Sequence, residues 1–162
     1  MDFAICLSTT AKIGSFEISA VLRNGVKLIH VHIPSHEAHS AQAIVAAYRA
    51  ATEEATCKVR GILFCNPHNP HGNVYPTEAI DALLQYCEEA DLHFVSDEIY
   101  ALSTFGVIDE DRGCGKLLES PVTEFVSVLS RDLQELGVHG SRVHLLYSIS
   151  KDLGSSGIRL VG

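Results

Sequence analysis

The sequence predicts an α/β domain: a mostly parallel sheet with helices on both faces. Two observations carry this. Short apolar runs without polar alternation recur along the chain, as in strands buried on both sides. Between them lie longer stretches whose apolar residues return every three or four positions, the period of a helix with one buried face. The 162 residues suit one domain, and 46% hydrophobic with 20% charged residues is a globular composition.

Taken in order, the β-rich runs are Phe3 to Leu7, Lys27 to Ile33, Val59 to Cys65, Leu92 to Ser96 and Val143 to Ser148. A short helix is expected over Ser15 to Leu22. A longer one is expected from about Ala38 to Thr56, with Ile44, Val45, Tyr48, Ala51 and Ala55 on one side. Pro76 suits the first turn of the next, where Ile80, Leu83, Leu84 and Cys87 fall at i, i+3, i+4 and i+7. A third is expected after Ser120-Pro121, carrying Val122, Phe125, Val126, Leu129, Leu133 and Leu136. The polar stretch Gly106 to Ser120 reads as an exposed loop.

Composition also excludes several function classes. Twelve basic against twenty acidic residues give a formal charge of -8, unlike the basic surface that nucleic acid requires. No stretch reaches the roughly 20 apolar residues of a membrane span, and the amino terminus has no basic flank typical of a secretory signal. Five widely spaced cysteines (Cys6, Cys57, Cys65, Cys87 and Cys114) contain no CxxC pair, so core filling is expected rather than disulfides or zinc. The expected location is the cytoplasm, with neither nucleic acid nor membrane as partner. His68 and His71 form HxxH, and His30 and His32 share a strand face. HxxH lies in a proline-interrupted turn without a third ligand at a useful offset, so no metal site is assigned.

Chemistry is expected where ligands bind in open parallel sheets, beyond the carboxyl ends of the strands. Three polar clusters fall there: Asn66-Pro67-His68-Asn69-Pro70-His71-Gly72, then Asp97-Glu98-Ile99-Tyr100, then Ser148-Ile149-Ser150-Lys151-Asp152. Arg159 follows, with Gly154 and Gly157 between it and the lysine. Singly, each has an ordinary reading: Asn-Pro makes turns, Asp caps helices, and Ser-x-Ser-Lys suits a solvated loop. Together, at three successive strand ends, they bring an amide, a carboxylate, a phenol, two hydroxyls and an amine to one place. Glu98 and Asp152, each next to a site residue, are expected to be structural acids.

The set NPxNPxG, SDEIY and SxSKD followed by GxR resembles the large domain of fold-type I pyridoxal-phosphate enzymes. Among these it is most similar to class I/II aminotransferases of the 1-aminocyclopropane-1-carboxylate synthase-like branch. Val143-His144-Leu145-Leu146-Tyr147-Ser148-Ile149-Ser150-Lys151-Asp152-Leu153-Gly154 and Phe125-Val126-Ser127-Val128 carry that narrower likeness. The resemblance implies pyridoxal 5'-phosphate as cofactor and Lys151 as the residue that binds its aldehyde and later moves the substrate Cα proton. It implies Asp97 on the pyridine nitrogen, Asn69 and Tyr100 on the ring's phenolic oxygen, and Ser148, Ser150 and Arg159 on the phosphate. His68, beside Asn69, would face the substrate. The substrate would be an α-amino acid or a derivative such as S-adenosylmethionine, in transamination or elimination, within specialised metabolism.

The same resemblance implies parts that these residues do not contain. Residues 1–162 correspond to part of the large domain, without the smaller domain and its substrate-carboxylate arginine. The first large-domain strand with its phosphate loop is also missing. Where relatives carry an aromatic-rich T-P-Y-Y-G-S-F-E turn, this chain reads Thr10-Ala11-Lys12-Ile13-Gly14-Ser15-Phe16-Glu17, and the lost ring stack should weaken cofactor binding by about 1 kcal/mol. The family strand order a-g-f-e-d-b-c implies that the strands here are b to f, with g beginning at Arg159-Leu160-Val161-Gly162. Strand f would then present an open edge that invites pairing with a second copy or a full-length paralogue. Two readings follow: an aminotransferase-like enzyme, or a truncated inactive relative serving as a remnant or a binding module. Marginal stability is expected for the isolated chain, and a soluble monomer with a sharp melting transition would contradict it.

Overall fold

The computed structural model describes residues 3–8, 21–22, 24–104 and 123–158. Among the described residues the longer elements are five strands and two α-helices. They are β1 (Phe3–Ser8), β2 (Lys27–Val31), α1 (Ala41–Glu53), β3 (Lys58–Cys65), α2 (Thr77–Glu89), β4 (His93–Asp97) and β5 (Val143–Leu146). The sheet order is β2-β1-β3-β4-β5 and every neighbouring pair is parallel. This is the order c-b-d-e-f that the resemblance implies. All five carboxyl ends therefore lie along one edge, with Cys65 opposite Asp97 and Asp97 opposite Leu146.

Local chemistry explains where the helices begin. Ser40 caps α1, its side-chain oxygen accepting from the Ala43 N–H at 3.2 Å. Pro76 stands at the cap of α2, one position before the first turn, where its missing N–H costs no helical bond. Ile44 and Tyr48 of α1 and Ile80, Leu83, Leu84 and Cys87 of α2 are buried, as the spacing predicts, while Val45, Ala51 and Ala55 are partly buried and Ala79 and Tyr86 of α2 join the core as well. The helices pack side by side. Arg49 of α1 lies over the Tyr86 ring at 4.6 Å and reaches Glu89 at 3.1 Å. Beyond α2 the chain turns through Asp91, whose φ of 58° lets Leu92 N–H donate back to Cys87 O.

The core is centred on β3, whose residues from Gly61 through Cys65 are all buried. Phe64 is fully enclosed, with ring centroids of Tyr75, Phe94 and Tyr48 at 4.7, 6.0 and 6.4 Å. Gly61 lets β3 and β4 approach closely: a Cβ there would stand 2.8 Å from the carbonyl oxygen of His93. Cys65 and Cys87 are buried and Cys57 is partly so, all as free thiols. Burial, with Asp97 as a secondary influence, pushes the Cys65 thiol up to about 12, so it stays protonated as a small apolar side chain.

The third expected helix does not form over its described residues. Residues 123–127 are not helical, Val128–Ser130 make one 3-10 turn, and turns follow to Gly137. Its hydrogen bonds run elsewhere. The Val128 N–H donates to Glu98 at 2.8 Å, Ser127 Oγ accepts from Leu129 N–H, and Ser130 Oγ donates to Ser127 O. Serines that bond their own backbone, beside β-branched valines, compete with the helical ladder. Val128 enters the core while Leu129 is 74% exposed, so the apolar spacing does not mark one buried face. Arg131 then fastens the segment to α2 through two bonds of 2.7 Å to Asp81. The short helix expected over Ser15 to Leu22 falls, except for its last two residues, outside the described residues. So do the Gly106 to Ser120 loop, the Thr10 to Glu17 turn and the start of strand g.

Among the described residues β5 forms one edge of the sheet, and Leu146 on it is 40% exposed. No helix among them is long and apolar enough to cross a membrane.

Candidate functional site

The pleated ladder continues past three strand ends and holds the polar clusters together. Asn66 N–H donates to Asp97 O at 3.0 Å, and Glu98 N–H donates to Leu146 O at 2.9 Å. The tips of β3, β4 and β5 are thus bonded in a row, and each leads directly into one cluster.

At the β3 tip both Asn-Pro bonds are cis. Asn66 is buried, and its side-chain oxygen accepts from the Tyr75 N–H at 3.0 Å, which fastens the loop to the segment before α2. His68 N–H donates to Asn73 O and Gly72 N–H to His68 O, with Gly72 at φ +70°, where a side chain would be strained. This turn presents Asn69 toward the next tip: its Nδ2 donates to the Tyr100 hydroxyl at 3.3 Å. His68 is buried against Tyr75 and stacks on His71, with centroids 5.3 Å apart and planes within 9°. Parallel stacked rings do not converge on a common ion, and among the described residues no three potential metal ligands cluster.

At the β4 tip, Asp97 is half-buried and accepts from the Ile99 N–H at 3.2 Å. Burial pushes its carboxyl above the ordinary Asp range, with Glu98 adding to the rise and the Ile99 bond opposing it. Glu98 is 3% exposed, and its Oε1 accepts from both Ser96 Oγ, at 2.9 Å, and Val128 N–H, at 2.8 Å. It is a buried bracket between β4 and the chain that follows residue 123. Sequence reasoning marked Glu98 as structural but had no signal for its partner, thirty residues away.

At the β5 tip, Ser148 is buried, its Oγ 2.7 Å from Ser150 Oγ and accepting from Ser150 N–H at 3.1 Å. Lys151 is exposed, with Nζ 5.4 Å from the centroid of the Tyr100 ring. The Tyr147 hydroxyl donates to Asp152 at 2.5 Å. Asn69, Tyr100 and Lys151 therefore meet, Ser148 and Ser150 form a hydroxyl pair three residues and one residue before Lys151, and Asp97 stands on the middle tip. Arg159 lies outside the described residues.

The raised carboxyl of Asp97 has a consequence for stability. An acid whose folded pKa exceeds its unfolded value contributes fully below the unfolded pKa and loses that contribution as pH rises through the folded pKa. At neutral pH the charged Asp97 therefore destabilises the unliganded chain. Asp97→Asn, which can still accept from Ile99, should raise the melting temperature at pH 7 and lose this advantage at acid pH. A pH series of melting curves checks it.

The family profile described as Aminotransferase class I and II matches residues 15–161. The chain is 65% identical over 127 residues to "Aminotransferase verI" of Clonostachys rogersoniana, covering 76% of this chain and 30% of that protein. It is 39% identical over 141 residues to "1-aminocyclopropane-1-carboxylate synthase 4" of Oryza sativa subsp. japonica, covering 85% of this chain and 28% of the relative. Among solved structures, an alanine aminotransferase from Pyrococcus furiosus shares the fold with a TM-score of 0.67 at 21% identity, over 99% of this chain and 33% of the other. The chain thus spans about a third, or less, of the length of the proteins it matches.

Proposed function

The chain belongs to the class I and II aminotransferases, and from that premise we propose that its three joined strand tips hold pyridoxal 5'-phosphate with Lys151 as the attachment point. The observation that carries this is the meeting of Asn69, Tyr100 and Lys151 at the ends of β3, β4 and β5. The donor set fits the group: an amine for its aldehyde, an amide and a phenol for its ring oxygen, a carboxylate for its ring nitrogen, and hydroxyls for its phosphate. When bound, the cofactor supplies an electron sink for the bonds at a substrate's Cα.

The chain's own residues then have distinct tasks. Lys151 would hold the cofactor through Nζ, and the same amine is the group placed to take up and return the substrate Cα proton. Tyr100 and Asn69, already bonded to each other, present an O–H and an N–H to the ring oxygen. Asp97 carries the negative charge that keeps a ring-nitrogen proton in place, and the energy lost by burying that carboxylate is offset when a cation pairs with it. Ser148, Ser150 and Arg159 would bind the phosphate, a group whose oxygens suit hydroxyl donors and a guanidinium fork. Residues 1–162 form the cofactor-holding part of the large domain, and the substrate is a small α-amino acid or derivative.

Two substitutions test this. The wild-type chain mixed with pyridoxal 5'-phosphate should develop the absorbance of the lysine-bound cofactor, and Lys151→Ala should remove it. Asp97→Asn should weaken cofactor binding about ten- to a hundredfold, the worth of one hydrogen bond to a charged group. No absorbance from the wild-type chain would refute the assignment.

A further inference from the structure

The turn that carries Lys151 is closed by a bond between residues on either side of it. The Tyr147 hydroxyl donates to Asp152 Oδ2 at 2.5 Å, a short bond of the charge-assisted kind. The second carboxylate oxygen, Asp152 Oδ1, is buried and has no hydrogen-bond partner among the described residues. A carboxylate in that position depends on the Tyr147 hydroxyl to offset its lost hydration. The bond also holds the Tyr147 phenol in its protonated form, raised by the hydrogen bond to Asp152. Inside the bracket, Ser150 N–H is bound to Ser148 Oγ at 3.1 Å. Leu153 N–H and Ser155 Oγ both donate to Ile149 O, at 3.1 and 3.0 Å. The Ser150–Ser148 bond fixes backbone before Lys151, and the two bonds to Ile149 O span it through the main chain; Tyr147–Asp152 spans it through two side chains.

The geometry points to Tyr147 and Asp152 as positioning residues that clasp the turn so that Lys151 Nζ stays beside the Tyr100 ring. Their role is exerted through the backbone of residues 148–151. It is the hydrogen bond that matters here and not the negative charge of Asp152 next to the amine. The inference rests on Lys151 being the cofactor-binding lysine, but the clasp itself is open to a test that needs no cofactor.

Three variants of the full chain separate the possibilities: Tyr147→Phe, Asp152→Ala and Asp152→Asn. The asparagine variant keeps an oxygen that can accept from Tyr147 while removing the charge. Amide hydrogen exchange at Ser150 and Leu153 reads the clasp directly. Borohydride trapping of pyridoxal 5'-phosphate on Lys151 reads its consequence. Tyr147→Phe and Asp152→Ala should speed exchange at both amides by about tenfold or more and slow trapping by a similar factor, whereas Asp152→Asn should stay within about twofold of wild type on both. If Asp152→Ala melts globally, Tyr147→Phe, which loses a single oxygen, carries the test. Wild-type exchange and trapping rates in Tyr147→Phe would overturn the proposal. So would an Asp152→Asn variant as impaired as Asp152→Ala, because charge and not the clasp would then be at work. A wild-type chain that traps no cofactor at Lys151 would refute the functional assignment, and the exchange rates would still decide whether the clasp exists.

Discussion

Phe64→Ala should destabilise the fold by about 3–5 kcal/mol, the usual cost of emptying a buried phenylalanine site. Phe64 is fully buried on the central strand, and three aromatic rings lie within 6.4 Å of its centroid. Those neighbours come from α1, from the segment before α2 and from β4, so collapse of one wall cannot fill the cavity. Natural domains keep only about 5–15 kcal/mol in total, so this variant would hold little reserve. Because Phe64 immediately precedes Cys65 and the Asn66 turn, the loss would reach the site as well as the core. Urea unfolding followed by circular dichroism measures it, and a change below about 1 kcal/mol would mean that the ring is not the centre of the core.

The second large effect is expected at Glu98. Glu98→Ala leaves two buried donors, Ser96 Oγ and Val128 N–H, without their acceptor. Each such orphan costs about 1–3 kcal/mol, so the two together rival the loss of a core aromatic. Glu98→Gln retains an oxygen for both donors and should lie within about 1 kcal/mol of wild type, since the bonds rather than the charge do the holding. Paired unfolding curves of the two variants check this. Equal destabilisation by alanine and glutamine would show that the carboxylate's charge is what matters there. Release of the chain around Val128 should also loosen the tip that carries Asp97, and cofactor affinity of Glu98→Ala is expected to fall with stability.

Much of the scaffold was legible because strands and helices announce themselves through apolar periodicity. The five β-rich runs fall on the five strands, with ends displaced by no more than a few residues. The start of α2 at Pro76 was legible to within one residue, whereas that of α1, expected near Ala38, is set by the Ser40 cap. The stretch around Phe125 to Leu136 misled because its apolar residues keep helical spacing while its hydrogen bonds go to Glu98, to its own serines and to Asp81. The bonds to Glu98 and Asp81 connect residues thirty and fifty positions apart, and no local pattern encodes them. The candidate site divides the same way. That Asn69, Asp97, Tyr100, Ser148, Ser150 and Lys151 sit at strand ends follows from their order along a parallel sheet. The Glu98 bracket and the Tyr147–Asp152 bond depend on how turns fold back on themselves, and become visible only in three dimensions.

The central claim is that three adjacent strand tips form one cofactor site with a single attachment point. Its most direct measurement is borohydride reduction of the chain with pyridoxal 5'-phosphate, followed by peptide mass mapping. One pyridoxyl phosphate per chain on Lys151, suppressed by Tyr100→Phe together with Asn69→Ala, is the expected result. Modification spread over surface lysines such as Lys27 and Lys58, unaffected by those substitutions, would contradict it.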